Sequence, residues 1–280
     1  MMKKIGIIAA ALTVALTTVP VQAKVTADEA AKLGTELTPL GGEKAGNADG
    51  SIPAWTGGIT SAPAGYSAGD FHPDPYAGEK PEFVITAANY QQYADQLSEG
   101  LKKMFETYPD TFKLPVYKTH RSASNPQFVY DATKENATRA TLLDDGNGMA
   151  GAAVGIPFPI PANGLEAIWN HIARYRGPAV QRNGGQAAVT AGGDYNVIGF
   201  DEQLLIQYSQ ENATPGSLLE NNVLFMFKQK VTEPARLAGT ALLVHETLDQ
   251  VKEPRKAWTY NTGQRRVRLA PNIAYDTPGT

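Results

Sequence analysis

Hydrophobic positions change their spacing along this chain. Between residues 87 and 107, Tyr90, Tyr93, Leu97, Leu101, Met104 and Phe105 recur at helical intervals with polar residues between them, which predicts a helix ended by Tyr108-Pro109. A second helix is predicted over 165–175, with Leu165, Ile168, Trp169 and Ile172 as its buried stripe. Asn163 and Glu166 form its capping-box-like start, and Arg174, Arg176, Gly177 and Pro178 its basic glycine-proline stop. Shorter helices are expected at 26–33, with Thr26 as N-cap, Glu29 three residues on and Gly34 as the stop, and at 126–137. After Gly177 the period falls toward two. Strands are predicted at 186–190, 203–208, 222–231, 236–246, 256–260 and 264–269, the last two joined by the turn Asn261-Thr262-Gly263. Short connections between consecutive strands make an antiparallel meander. In 222–231 both the Phe225 and Phe227 face and the Leu224 and Met226 face are apolar at the N-terminal end. That strand therefore needs cover on both sides: helices on one face, a wrapping segment or a ligand on the other.

The 27 glycines and 19 prolines concentrate before residue 85 and between 144 and 195, where they interrupt regular elements. From 41 to 81 no period persists, and 46–58 is turn chemistry around two apolar anchors, Ile52 and Trp55, read as an ordered loop pinned by a buried indole. Residues 155–161 hold three prolines, each of which pushes its predecessor out of the helical region, so this stretch is extended and lines or covers something apolar. These patterns divide the chain into residues 1–23, an irregular wrap over 24–85, and a body over 86–280 that forms one α+β domain with the wrap.

Residues 1–23 read as a secretory signal: Met-Met-Lys-Lys, an apolar stretch over 5–19, Pro20, then Val21-Gln22-Ala23 with small residues at the cleavage positions. The apolar stretch is short for a membrane span, and the chain has no cysteine, so neither a permanent membrane anchor, nor acylation at a new N-terminal cysteine, nor a disulfide framework is expected. Losing Lys3 and Lys4 makes the formal charge two units more negative than the −3 of the whole chain, which argues against nucleic acid as a partner.

Candidate chemistry is sparse. The glycines of 146–151 have dinucleotide-binding spacing, but Pro157, Pro159 and Pro161 exclude the helix that must follow, and a glycine-rich turn after Thr141-Leu142-Leu143 is the reading. No Walker loop, nucleophile elbow or His-Glu-x-x-His pair is present. Asn47, Asp49 and Gly50 are a fragment of a calcium loop, lacking the alternating oxygen ligands and the late glutamate. No cofactor or metal is called for. Lys252, Arg255, Lys256, Arg265, Arg266 and Arg268 make a late basic cluster, either a solvated face or a contact for an anionic group; Arg266 and Arg268 share one face, with Arg265, Val267 and Leu269 on the other.

The blocks Gly46-Asn47-Ala48-Asp49-Gly50-Ser51-Ile52-Pro53-Ala54-Trp55, Pro115-Val116-Tyr117, Phe158-Pro159-Ile160-Pro161, Ile168-Trp169-Asn170-His171 and Arg265-Arg266-Val267-Arg268-Leu269-Ala270-Pro271 together resemble the exported bacterial domain-of-unknown-function family 1329, often labelled outer-membrane lipoprotein-sorting protein. The resemblance covers the chain after its signal. It implies a Gram-negative periplasmic setting and a lipoprotein-carrier-like open half-barrel, a strongly curved antiparallel sheet with helices on its concave side. Its members are longer, which implies that this chain holds only part of such a sheet. It supplies no catalytic residues, and leaves Asn47, Asp49, Gly50, Ile52 and Trp55 as structural anchors.

The function expected on these grounds is that of a non-enzymatic periplasmic carrier or accessory protein for a lipid or other hydrophobic molecule, serving envelope lipid or lipoprotein trafficking beside an inner- or outer-membrane transport protein. Trp169, Phe225, Phe227 and Trp258 are its candidate wall, and Arg265, Arg266 and Arg268 its candidate anionic contact. The alternatives are a periplasmic hydrolase assembled from Asp49, His72 or His171, and a structural envelope-assembly protein. The exported product is expected to begin at Lys24; N-terminal sequencing of the periplasmic protein checks this, and an intact Met1 in the membrane fraction overturns it.

Overall fold

The computed structural model describes residues 25–67 and 69–270, so the expected signal segment and its cleavage position lie outside the described residues. In chain order the elements are α1 (Ala27–Ala30), β1 (Phe83–Thr86), α2 (Glu99–Thr107), β2 (Lys113–Val116), α3 (Gln127–Arg139), β3 (Thr141–Leu143), β4 (Gly148–Ala150), α4 (Gly164–Ile172), β5 (Ala179–Val189), β6 (Tyr195–Ile206), α5 (Pro215–Asn221), β7 (Val223–Glu233), β8 (Ala241–Thr247), β9 (Lys256–Asn261) and β10 (Arg266–Ala270). Strands β5 to β10 form one open antiparallel sheet in sequence order, the meander expected from the period-two stretch. β5 and β6 are much longer than the runs at 186–190 and 203–208, because Ala179 to Val189 pairs continuously with Leu205 to Tyr195. The two glycines of β5 interrupt its apolar pattern without interrupting its ladder.

Cross-strand register sorts side chains to the two faces. Leu204, Phe227, Val244 and Ala257 are successive partners on one face; Leu205, Met226, His245 and Lys256 are partners on the other. Leu204, Ile206 and Phe225 join the main core with Val129, Phe158, Trp169, Tyr208 and Leu248, so the helices and the irregular segment cover the first, inner face.

Residues 151–160 belong to that core. The proline-rich stretch lines an apolar body, as expected, and is itself part of it: Ala152, Ala153, Val154, Pro157 and Phe158 are buried, four of them in the main core. Buried backbone amides need partners. Asn136 of α3, fully enclosed, donates from Nδ2 to the carbonyls of Ala153 (3.0 Å) and Ile156 (3.3 Å), and its Oδ1 accepts from the Ala153 amide (3.2 Å) and from Arg139 (3.1 Å). Thr133 Oγ1 accepts from Ile156 N, and Tyr208 donates to Gly155 O. Burial pushes the Tyr208 phenol far up from its ordinary value, which keeps it protonated as a donor. Gly155 is required here: a Cβ would lie 2.4 Å from Thr133 Oγ1.

A second, smaller core forms from β1, β2 and α2, with Ile85, Leu97 and Phe105 buried among Tyr90, Tyr93 and Leu101. The helix expected at 87–107 is two pieces, a 3-10 helix over Tyr90–Gln96 and α2. Leu97 is extended, and Ser98 starts α2 by accepting from Leu101 N. The apolar spacing survives the break because both pieces face the same cluster. On α4 the Asn163 cap forms as expected, but the helix stops at Ile172, and Leu165 and Ile168 are 50% and 58% exposed. The buried side is set by Trp169 and Ala173, one turn apart, with the Trp169 indole donating to Gly146 O at 2.9 Å. The glycines of 146–151 belong to the β3–β4 hairpin, the turn expected from the sequence.

Replacing Asn136 with Ala strands several buried backbone groups at once, so a loss of roughly 3 kcal/mol in unfolding free energy is expected from denaturant titration.

Candidate ligand-binding face

The outer face of the sheet carries an apolar row with no helix packed over it among the described residues. Leu205 and Met226 are partners on β6 and β7, and Leu243, Trp258 and Leu269 are successive partners on β8, β9 and β10. None of these five side chains joins a core cluster among the described residues. Leu205 is 41% exposed and Leu269 60%. A shallow groove of about 510 Å³ opens here, lined by Ala179, Gln181, Gln203, Leu205, Met226, Lys228 and Leu243 among others. Its polar groups are two amides and one ammonium, with no carboxylate in the lining. The His245 imidazole stands edge-on to Trp258, ring centroids 4.9 Å apart, and continues the apolar surface toward Lys256. A sheet buries one face for stability; an apolar row left on the other is available for something else.

The four residues expected to form one wall are not brought together. Trp169 lies in the main core, Phe225 packs against that core from the inner face, and Phe227 follows it on the same face between Leu204 and Val244. Trp258 alone is on the outer face. Of the basic cluster, Arg265 occupies a left-handed turn position at φ 49, while Arg266 and Arg268 face the side of Asn261 and Thr259, opposite Leu269 and the groove. The charge at the groove is Lys228. Alternation puts Met226 opposite Phe225 but carries no signal of which face the helices take, so spacing alone does not single out Leu205, Met226 and Leu243 as lining residues.

The anchors of the glycine-rich wrap do come together. Asn47 Oδ1 accepts from Ile52 N (2.8 Å), and Asp49 Oδ1 accepts from the Ser51 amide (2.9 Å) and hydroxyl (2.7 Å). These bonds from Ser51 hold the Asp49 carboxyl below the usual range. Gly50 takes the positive φ of the turn, and Ile52 is 45% exposed. Trp55 is half-buried rather than enclosed, its indole donating to Ala123 O at 2.9 Å. Arg121 gathers the same loop through the carbonyls of Glu43, Lys44, Ala45 and Pro53.

No hydrogen bond or ion pair among the described residues links Asp49, His72 and His171. Asp49 is engaged with Ser51, His72 meets Tyr66 edge-on at 5.7 Å, and His171 is exposed on α4. No group of three or more His, Asp or Glu side chains among the described residues is placed to hold a metal ion.

The family described as protein of unknown function DUF1329 matches residues 84–280, and the chain belongs to it. An uncharacterized protein of Pseudomonas aeruginosa is 55% identical over 269 residues, 96% of this chain. The chain spans 59% of that relative's length. No solved structure matches it.

Replacing Trp55 with Ala is expected to cost about 2 kcal/mol, less than for an enclosed indole, and to release the wrap to protease before global unfolding; urea titration and limited proteolysis read the two effects.

Proposed function

We propose that this DUF1329 protein is a non-enzymatic periplasmic carrier or accessory protein, which holds the apolar part of a lipid or other hydrophobic molecule against the outer face of its sheet. The observation that supports this reading is the apolar row from Leu205 to Leu269, left outside the core beside a groove of about 510 Å³. An acyl chain laid along it gains roughly 0.8 kcal/mol for each methylene removed from water. Lys228 supplies one cation for an anionic head group at the same place. In this proposal the sheet is the wall of an open half-barrel. Its cargo passes between membrane components by way of a transport partner, a reading supported by the export-signal pattern expected for residues 1–23.

Because Leu205 is already partly exposed, Leu205→Glu places a charge in the groove without emptying the core. The variant is expected to keep its circular dichroism spectrum and melting temperature while losing at least about tenfold in affinity for a fluorescent fatty acid. Lys228→Ala should weaken the fatty acid but not an uncharged long-chain alcohol, and more so at low salt. Arg268→Ala, on the opposite face, should change neither. Undiminished affinity in folded Leu205→Glu overturns the placement. Absence of fatty-acid binding by the unaltered protein favours a structural envelope-assembly role.

A further inference from the structure

A second cavity, far in character from the sheet groove, lies where the wrap meets the segment before α3. Its volume is about 400 Å³, within the range of small-molecule sites, and its lining includes Thr38, Pro39, Leu40, Trp55, Arg121 and Tyr130. Three of these are apolar or aromatic walls. The other three are donors with hydrogen atoms to spare.

Arg121 Nη1 lies 3.2, 3.3 and 3.4 Å from the carbonyls of Lys44, Ala45 and Pro53, and Nη2 lies 2.6 Å from that of Glu43. A guanidinium has five N–H groups. One on Nη2 and the one on Nε have no partner among the described residues. Among the described residues Arg121 is in no ion pair, and its charge is met by four backbone carbonyls. The Tyr130 hydroxyl accepts from Asn125 N (2.7 Å) and the Thr38 hydroxyl from Gly42 N (2.9 Å), each keeping its own proton free. The lining also includes His120 and Ser122, and these and the nearby acceptors are engaged: His120 Nε2 with the Glu79 carboxylate (2.7 Å), the Ser122 hydroxyl with the Tyr76 hydroxyl (2.8 Å), the Ala123 carbonyl by the Trp55 indole and the Ser122 carbonyl by Ile59 N.

A cavity that offers the Arg121, Tyr130 and Thr38 donors, with one cation in no ion pair beside an indole, favours a single negative charge on a planar or apolar body. We propose that it is a binding site for a small organic monocarboxylate. The carboxylate meets Arg121 and the Tyr130 hydroxyl, and the apolar body lies against Trp55 and Leu40. A phosphate dianion would bring two charges to one cation, and a neutral ligand would leave the guanidinium unneutralised. This assignment is independent of the sheet face.

Benzoate is a suitable probe, with benzyl alcohol and inorganic phosphate as controls. Titration of the full chain is expected to give saturable benzoate binding, by calorimetry and by movement of one tryptophan indole N–H resonance that is absent from Trp55→Phe. Benzyl alcohol and phosphate should each bind at least about tenfold more weakly. Tyr130→Phe also removes the acceptor of the Asn125 amide, so a lower melting temperature is expected; the folded variant, checked by circular dichroism and unchanged fatty-acid binding, should weaken benzoate several-fold, and Arg121→Lys should weaken it further. Should Arg121→Lys loosen the wrap, Tyr130→Phe still decides the matter. No saturable benzoate binding, equal affinity for benzyl alcohol or phosphate, or full affinity in folded Tyr130→Phe would each overturn the assignment.

Discussion

Asn136 makes four hydrogen bonds from a fully enclosed position on α3, and three of them satisfy backbone groups of the irregular segment that crosses the core. The rest of the architecture depends on that satisfaction. An irregular chain cannot be buried unless its amides and carbonyls find partners, because each orphaned group costs on the order of 1–3 kcal/mol. Here the partners come from three directions: Asn136 and Thr133 on α3, Asn170 on α4 through both the amide and carbonyl of Phe158, and Tyr208 at the end of β6 through Val154 N and Gly155 O. Prolines at 157, 159 and 161 reduce the demand, since they have no N–H to satisfy. The same bonds tie α3, α4 and the sheet to one another. Val154 is held at φ 64, unfavourable for a β-branched residue, by this network.

The sheet inherits its sidedness from that arrangement. With the segment and the helices on the inner face, Leu204, Ile206 and Phe225 are spent on stability. Glu246 on the same side is buried against Arg255 and Gln250; burial pushes its carboxyl up from the usual range while the Arg255 guanidinium opposes the shift. The outer face has no comparable obligation. Among the described residues its apolar row joins no core cluster, and Lys228 is the one charged side chain lining the groove beside it.

The wrap is stabilised in another way. Residues 41–58 have little regular structure, and Arg121 holds them through four backbone carbonyls while Trp55 anchors to Ala123. A cation held by neutral dipoles keeps its field, which is why the residue that ties the wrap together is also the one at which an anion site is proposed.

How much of this was legible beforehand follows from the range of each signal. The Thr26 and Glu29 capping box, the Asn163 cap and the turn at 144–148 were readable because each rests on bonds between residues a few positions apart. The sequential meander was readable because its connections are short. The two faces of β7 were readable as alternation. Which face would be covered was not, because that depends on α3 and α4 docking against residues 151–160 through Asn136, Thr133 and Asn170, bonds that join positions 12 or more apart. Trp258 consequently left the wall it was expected to share with Phe225, and Leu165 and Ile168 left the core. Local spacing along the chain set the elements, their order and the chemistry available to them. The tertiary structure decided which apolar surfaces were consumed in folding and which remained open, because burial depends on every neighbour in space and local spacing records only the neighbours along the chain.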